Sequence, residues 1–273
     1  MKIFEGCLLV SDLDGSFFGA GTSLPQRNLD AVRYFMDNGG LFTVATGRSI
    51  TAAKKIAKDI PKNVPAILFN GAMLYDFASD RVLYDVGIET PNAKRLVVEA
   101  NKQFPQTQCV IFQERKLYCT THNYQTAMAD SLCMKSIYEP DVDKIAFPWY
   151  KVLFGGKPDE LLTVLDFLRD MKIPDLVCLQ SSSVLLEVLR SDVNKGTGLV
   201  RLAQMLQVPL CNTFALGDYY NDEQMLKTAG HSFLPQNAAE DLKHLGIVVC
   251  DHTLGAVADV VERIQQMLES EKK

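Results

Sequence analysis

One apolar run that ends in two carboxylates and a glycine constrains this chain most: CLLVSDLDGS, residues 7–16. Short apolar runs bounded by turn residues are typical of strands that are covered on both faces of a parallel sheet. Asp12 and Asp14 therefore follow a buried strand, at the end where open α/β sheets bind ligands. Gly15 allows a sharp turn of the backbone after them. A solvated turn with incidental acids is the alternative that this segment alone leaves open.

The rest of the chain begins and ends with alternating strands and helices. The elements predicted after the first strand are a helix Gln26–Asn38, a strand from Leu41, a helix Ile50–Ile60, a strand Val64–Asn70 and a hairpin of Met73–Tyr75 with Arg81–Tyr84. The alternation resumes near residue 194 with a helix to Leu206, a strand Thr213–Leu216, a helix Glu223–Ala229, strands Ser232–Leu234 and Ile247–Val249, and a helix Gly255–Glu269. Strands joined by helices pair in parallel with a right-handed crossover.

Between about residues 87 and 189 the pattern changes to a mixture of helices and hairpins. The predicted hairpins are Thr107–Gln113 with Lys116–Thr120, and Leu176–Gln180 with Val184–Leu189. Between the first of these hairpins and Tyr138, the sequence predicts a helical or irregular stretch. The sequence thus predicts an α/β fold in which residues 1–86 and 190–273 form the core and residues 87–189 an inserted α+β domain.

Composition argues against several classes of function. The net charge of -5 at pH 7 is unlike the basic excess that nucleic-acid binding requires. No basic leader precedes the first strand, and no apolar run is long enough to span a membrane. Four of the seven cysteines lie in apolar runs and are predicted to be buried thiols: Cys7, Cys109, Cys178 and Cys250. We therefore expect a cytoplasmic protein that binds neither nucleic acid nor membranes, and no protein partner is indicated.

Four polar clusters fall at strand ends or at the start of a helix. They are Asp12 with Asp14, Thr46 with Gly47 and Arg48, Lys195 with its glycines, and Asp218 with Asn221 and Asp222. Each alone has an ordinary interpretation as a turn, a helix cap or a surface lysine. Together they supply carboxylates for a hard cation, a hydroxyl and backbone amides for phosphate oxygens, and one ammonium group. The combination indicates a Mg²⁺ and phosphate site.

In this order, the four clusters resemble the motifs of the haloacid dehalogenase superfamily, and most closely those of its Cof-type sugar-phosphate phosphatases of subfamily IIB. The matching segments are DLDGS at 12–16, TGR at 46–48, KG at 195–196 and GDYYND at 217–222. The resemblance covers the whole chain. It implies a Rossmann-like parallel-sheet core with an inserted cap domain between the second and third motifs. It also implies a Mg²⁺-dependent phosphatase that acts on small phosphorylated metabolites, above all sugar phosphates.

The resemblance also implies a role for each residue. Asp12 attacks phosphorus to form an aspartyl phosphate, while Asp14 protonates the leaving alcohol and then deprotonates the attacking water. Mg²⁺ is held by Asp12, the main-chain carbonyl of Asp14 and Asp218, with Asp222 in support. The groups that hold the phosphoryl group are Thr46, the amides of Leu13 and Gly47, Lys195 and Asn221.

Two departures from the family pattern and two other functions remain open at this point. Ser16 stands where the family usually has Thr, and residues 233–237 read FLPQN where the family commonly has a small Ala-Met-Gly-Asn run. A phosphomutase or phosphotransferase would use the same aspartyl-phosphate chemistry and pass the phosphoryl group to a second sugar instead of water. A non-catalytic sugar-phosphate-binding protein is expected to have lost Asp12 or Asp14, and both are present.

Overall fold

The computed structural model describes residues 2–121 and 136–270, and the chain divides into two compact units. The first unit comprises Met1–Arg48, Ile56–Tyr84 and Asn194–Lys273, and the second comprises Ser49–Lys55 and Asp85–Val193. The strands are β1 (Leu8–Ser11), β2 (Leu41–Val44), β3 (Ala66–Leu68), β4 (Met73–Asp76), β5 (Arg81–Asp85), β6 (Gln108–Phe112), β7 (Leu117–Cys119), β8 (Ser136–Tyr138), β9 (Lys151–Gly155), β10 (Leu176–Ser182), β11 (Leu185–Arg190), β12 (Thr213–Leu216), β13 (His231–Pro235) and β14 (Ile247–Val249). The α-helices are α1 (Gln26–Asp37), α2 (Ile50–Ile56), α3 (Pro91–Gln103), α4 (Pro158–Asp170), α5 (Lys195–Leu206), α6 (Glu223–Thr228) and α7 (Ala256–Ser270).

A parallel sheet in the order β14-β13-β12-β1-β2 forms the centre of the first unit. Strand β1 is buried along its whole length, as its apolar sequence predicts. Strand β2 lies on one side of β1 and β12 lies on the other, so the strand order reverses at β1. In open α/β sheets such a reversal leaves a crevice at the carboxyl ends of the strands. Asp12, Ala45 and Gly217 are the residues that directly follow β1, β2 and β12 at this edge.

Helices of the first unit cover this sheet, and a smaller sheet extends it. Leu199 and Leu202 of α5 lie in one core cluster with Leu8 and Val10 of β1. Strands β3, β4 and β5 form a separate sheet, connected to the first by a single parallel bridge between Ala45 and Ile67. The predicted α/β fold with a parallel-sheet core is confirmed, although the predicted third strand belongs to the smaller sheet.

The second unit contains a six-stranded sheet in the order β10-β11-β9-β6-β7-β8. Its pairs are antiparallel except for β7 and β8, which run parallel. Helices α3 and α4 contribute Leu96, Val97, Leu161 and Val164 to a core that also contains the fully buried Trp149. This unit therefore has an apolar core of its own.

Two element predictions were wrong in part. Helix α2 ends at Ile56 instead of Ile60. Ile60 precedes Pro61, and proline disfavours a helical conformation in the residue before it. After the helix ends, the carbonyls of Ala57 and Ile60 accept hydrogen bonds from Lys62 Nζ. The stretch up to Tyr138 was predicted to be helical or irregular, but its end is strand β8, which pairs with β7. The rest of that stretch, residues 122–135, lies outside the described residues.

The structure also bears on the predicted burial of the cysteines and on the predicted lack of membrane-spanning segments. Cys7 and Cys109 are buried as predicted, but Cys178, in the edge strand β10, and Cys250, which directly follows the edge strand β14, are partly exposed. No disulfide bond joins the six cysteines in the described part of the chain. Among the described residues, no helix is both long and apolar enough to cross a membrane.

Candidate active site

The first component of the site is the tight turn that follows β1. Residues Leu13–Phe17 form one irregular turn of π-helix, with extended backbone at Asp14 and a left-handed conformation at Gly15 (φ 84°). A Cβ atom at Gly15 would lie 2.3 Å from Asp218 Oδ2. Only glycine therefore allows the turn to approach Asp218 so closely. Ser16 completes the contact by donating a hydrogen bond to Asp218 Oδ1 over 3.0 Å.

A fully buried lysine is the second component. Lys195 is the first residue of α5, whose start is fixed by a capping box between Asn194 and Thr197. Its Nζ atom lies 2.5 Å from Asp12 Oδ1 and 2.6 Å from Asp222 Oδ1. The side chain of Lys195 has no exposed surface, so its charge is balanced by these two carboxylates rather than by solvent.

The loop after β12 is the third component. Asp222 is buried, and both of its carboxylate oxygens accept hydrogen bonds from the protein. Oδ1 accepts from Lys195, and Oδ2 accepts from the backbone N–H groups of Asp218 and Tyr219 over 3.0 and 3.2 Å. Asp222 therefore fixes both the loop that carries Asp218 and the ammonium group next to Asp12.

Three carboxylates converge where these components meet. One oxygen each from Asp12, Asp218 and Asp222 lies within 4.8 Å of the others. Carboxylate oxygens at this spacing fit a hard divalent cation such as Mg²⁺. Burial raises the pKa of Asp12 well above its usual range; the neighbouring carboxylates add to the rise and Lys195 opposes it. Burial, together with Asp222, raises the pKa of Asp218 to about 6.

Burial alone would lower the pKa of Lys195. The two carboxylates Asp12 and Asp222 outweigh this effect, and the pKa of Lys195 is raised. The lysine is therefore a permanent cation within the acidic cluster, whereas the carboxylates carry their charges at a cost that a bound cation would relieve.

The predicted phosphate-binding residues of the second and fourth motifs meet through a residue that the sequence analysis did not assign. Asn70 is 6% exposed, and its backbone N–H donates to the carbonyl of Thr46 over 3.0 Å. Its Oδ1 accepts a long hydrogen bond of 3.5 Å from Asn221 Nδ2. The side chain of Asn70 also packs against Gly47, where a Cβ atom would lie 2.9 Å from Oδ1. Thr46 itself is almost fully buried and follows the bridge to β3.

Arg48 is the second functional candidate that the sequence analysis missed, since it gave this residue no role. The guanidinium group binds both oxygens of Asp14, with Nε–Oδ2 at 2.9 Å and Nη2–Oδ1 at 2.7 Å. Such a bidentate pair orients the carboxylate. Each oxygen keeps a second lone pair that can still accept a hydrogen bond or a proton. The position of Arg48 directly after Thr46-Gly47 was the available signal.

The family assignment follows from a comparison with protein-family models. Residues 9–261 match the model of the haloacid dehalogenase-like hydrolases. The chain belongs to this family. A phosphatase of Bacillus subtilis, YwpJ, is 25% identical over 267 residues, which cover 89% of this chain and 93% of that protein.

Solved structures of other haloacid dehalogenase-like proteins share the fold. One from Bacteroides thetaiotaomicron has a TM-score of 0.83 at 21% identity and covers 94% of this chain and 99% of its own. A sugar phosphatase of subclass IIB has a TM-score of 0.78 at 17% identity and covers 94% of this chain and 98% of its own. The predicted family is confirmed, and so is the prediction that this haloacid dehalogenase-like hydrolase is a phosphatase.

Proposed function

We propose that this phosphatase hydrolyses small phosphorylated metabolites, mainly sugar phosphates, with Mg²⁺ as cofactor and Asp12 as the nucleophile. The observation that carries the proposal is the position of Asp12 at the end of β1, 2.5 Å from a buried lysine and within the three-carboxylate cluster. A carboxylate next to a fixed cation and a metal site is equipped to attack a phosphorus atom. The sugar-phosphate class is supported by the subclass IIB neighbour.

The reaction takes place in two steps. In the first, an Asp12 oxygen forms a bond to phosphorus, the ester P–O bond breaks, and the leaving oxygen takes a proton from Asp14. In the second, water gives a proton to Asp14 and attacks phosphorus, which releases inorganic phosphate and restores the Asp12 carboxylate. The side chain of Asp14 is half exposed, at 51%, so both the leaving oxygen and the attacking water can reach its carboxylate.

The chain offers a donor set for Mg²⁺ in Asp12, Asp218 and the main-chain carbonyl of Asp14. Asp222 would stabilise this donor set without binding the cation directly, because its own oxygens accept hydrogen bonds from Lys195 and from the backbone of its loop. When bound, the cation would offset the negative charge of the transferring phosphoryl group and of the carboxylates around it. Raised pKa values at Asp12 and Asp218 are what a cluster arranged for a cation should show in its absence.

The transferring phosphoryl group would be held by charge and by hydrogen-bond donors. Lys195 supplies a fixed positive charge next to Asp12, and the turn that follows β1 supplies backbone N–H groups. The proposed contacts are the amides of Leu13 and Gly47, the Thr46 hydroxyl, Lys195 Nζ and the Asn221 amide. We expect these contacts to be the same for every ester, because none of them concerns the leaving group.

A panel of phosphorylated sugars, nucleotides and cofactors, assayed for phosphate release with and without Mg²⁺, tests this function. We expect Mg²⁺-dependent release that Asp12→Asn abolishes, because the amide is not a nucleophile and is only a neutral, weaker metal ligand. Asp166→Asn, a change at an exposed carboxylate on α4, is the matched control and should leave turnover unchanged. Normal turnover in folded Asp12→Asn would exclude the covalent route.

The alternative functions are separated in the same assays. A phosphomutase or phosphotransferase would form an isomeric or newly phosphorylated sugar in excess over inorganic phosphate, whereas a non-catalytic binding protein would bind sugar phosphates without product. The cytoplasmic location and the absence of nucleic-acid and membrane partners stay predictions.

A further inference from the structure

Three side chains from distant parts of the first unit bind the turn that follows β1 at its carbonyl groups. Asn237 Nδ2 donates to the carbonyl of Gly15 over 2.8 Å. Asn28 Nδ2 donates to Phe17 over 2.8 Å. The third donor is His252 Nδ1, 2.6 Å from the carbonyl of Phe18. We call Asn28, Asn237 and His252 the carbonyl clamp.

The clamp residues are themselves held by the protein. Asn237 Oδ1 accepts from the backbone N–H of His252 over 3.1 Å, which connects two members of the clamp. Asn28 is fully buried, and its Oδ1 accepts from the backbone N–H of Ala258 in α7 over 3.1 Å. Because a carbonyl oxygen can only accept, Nδ1 of His252 must carry the proton in this contact.

The clamp acts on an otherwise irregular piece of backbone. The turn Leu13–Phe17 has non-helical dihedral angles at Asp14 and Gly15, so its own helical hydrogen bonds do not define its shape fully. Two further backbone bonds close it, from Phe17 N to Asp12 O and from Phe18 N to Leu13 O. The carbonyl of Asp14 is not among the acceptors of any of these bonds. It is adjacent to the clamped carbonyl of Gly15.

We propose that Asn237 and His252 are positioning residues that hold this turn in the shape in which the Asp14 carbonyl faces the cation and the Asp14 carboxylate faces the leaving oxygen. The inference rests on the proposed function, whose metal ligand and proton donor it concerns. It also gives a role to Asn237, which ends the FLPQN segment where the chain departs from the family pattern. Neither residue touches the substrate; both act through the backbone of residues 15–18.

The test compares Asn237→Ala and His252→Ala with His252→Asn, whose side-chain amide can donate from nearly the position of Nδ1. Gln236→Ala and His244→Ala are matched controls, because each changes an exposed side chain of the same type in the same region. Mg²⁺ affinity is measured by calorimetry without ester, and hydrogen exchange is measured at the amides of Phe17 and Phe18. Turnover of the best ester gives kcat and KM, and thermal unfolding gives Tm.

We expect each alanine variant to bind Mg²⁺ about fivefold more weakly, as the loss of one neutral hydrogen bond predicts. Amide exchange at Phe17 and Phe18 should accelerate and kcat should fall, while KM for the ester stays within about twofold. His252→Asn should recover wild-type Mg²⁺ affinity, and the controls should not differ from wild type.

Folded alanine variants with wild-type Mg²⁺ affinity and exchange rates would overturn the inference. So would a lower Tm without any change in Mg²⁺ affinity, since that is the result of a purely structural role. If the wild-type protein binds Mg²⁺ but hydrolyses no ester, the proposed function fails separately, and Mg²⁺ affinity and amide exchange still decide whether the clamp positions the turn.

Discussion

Lys195 shows how a single buried side chain connects stability with chemistry. A buried ammonium group has a large desolvation cost, which only well-placed partners offset. Here Asp12 and Asp222 are those partners, at 2.5 and 2.6 Å. The lysine thus keeps the nucleophile and the loop after β12 together, and it provides a fixed positive charge where a phosphoryl group would carry negative charge.

Removing this charge should affect every substrate alike. We predict that Lys195→Met lowers kcat/KM by about 100- to 1,000-fold for all esters without changing their ranking, because the ammonium group interacts with the phosphoryl group and not with the alcohol. Unfolding free energy should fall by about 3–5 kcal/mol, since two buried carboxylates lose their partner. The control Lys227→Met removes an exposed ion pair with Glu223 and should cost less than about 1 kcal/mol.

The Lys195→Met, Asp222→Asn double variant separates the two effects. It removes one of the stranded charges, so it should recover part of the stability but none of the turnover. A changed ranking among esters in Lys195→Met would instead place this lysine in the leaving-group pocket.

Asp218 gives a pH dependence with a defined sign. Burial, with Asp222 next to it, raises its pKa from 3.8 to about 6 in the folded protein. Between these values the folded state holds a proton that the unfolded state has lost, so the free energy of unfolding falls as pH rises from about 4 to 6. We expect a loss of at most about 3 kcal/mol in metal-free protein.

Urea unfolding in a chelator, measured from pH 4 to 7, tests this expectation. Asp218→Asn should flatten the pH dependence, and Mg²⁺ should restore stability above pH 6 by binding the ionised carboxylates of the folded state. Stability that rises over this interval in the metal-free protein would show that the carboxylate is favourably solvated or paired, contrary to the geometry.

At the residue scale, the sequence indicated which residues meet but not how they contact each other. The four motifs predicted Asp12, Lys195 and Asp218 as site residues from their types and order, and the structure brings these three together. The bonds of Arg48 to Asp14 and of Asn237 to Gly15 could not be predicted, since they join residues 34 and 222 positions apart that no periodicity relates. Such contacts depend on how the elements pack.

At the scale of elements, strands were predicted more reliably than turns. The apolar runs at β1, β2 and β12 are short and bounded by turn residues, so their type was readable from the sequence. Strand β8 was not readable, because its three residues form a strand only through the ladder to β7. The π-helical turn of residues 13–17 was also not predictable, since its shape depends on hydrogen bonds from outside the turn.

A substitution at Gly15 tests whether the shape of that turn is needed for Mg²⁺ binding. We predict that Gly15→Ala costs about 1–2 kcal/mol for the left-handed conformation and also weakens Mg²⁺ binding, because the new methyl group displaces the Asp218 carboxylate. Gly21→Ala is the matched control: Gly21 is also left-handed, at φ 65°, but no atom lies within 4 Å of its added Cβ.

Thermal unfolding and calorimetry with Mg²⁺ distinguish the two variants. In metal-free protein Gly21→Ala should lose only the stability that the left-handed conformation costs, whereas Gly15→Ala should lose more because Asp218 is displaced as well; only Gly15→Ala should lose Mg²⁺ affinity. Equal Mg²⁺ affinity in the two variants would mean that Asp218 can move aside without leaving the metal site.

At the scale of the whole molecule, the predicted site residues and the sole tryptophan belong to different units. The nine residues predicted to form the site all lie in the first unit: Asp12, Leu13, Asp14, Thr46, Gly47, Lys195, Asp218, Asn221 and Asp222. Trp149 is the only tryptophan of the chain and is fully buried in the apolar core of the second unit. Its fluorescence therefore reports the unfolding of the second unit.

This separation predicts a probe-dependent response to Mg²⁺. A ligand stabilises the unit that binds it, by about 2.7 kcal/mol at a concentration 100 times its Kd. Hydrogen exchange in β1 and β12 should therefore slow with Mg²⁺, while the midpoint of Trp149 fluorescence in urea should move much less. Asp218→Asn is the control in which both probes should become insensitive to Mg²⁺. Equal stabilisation at both probes in the wild type would show that the two units unfold as one cooperative structure, and that the separate cores do not confer separate stabilities.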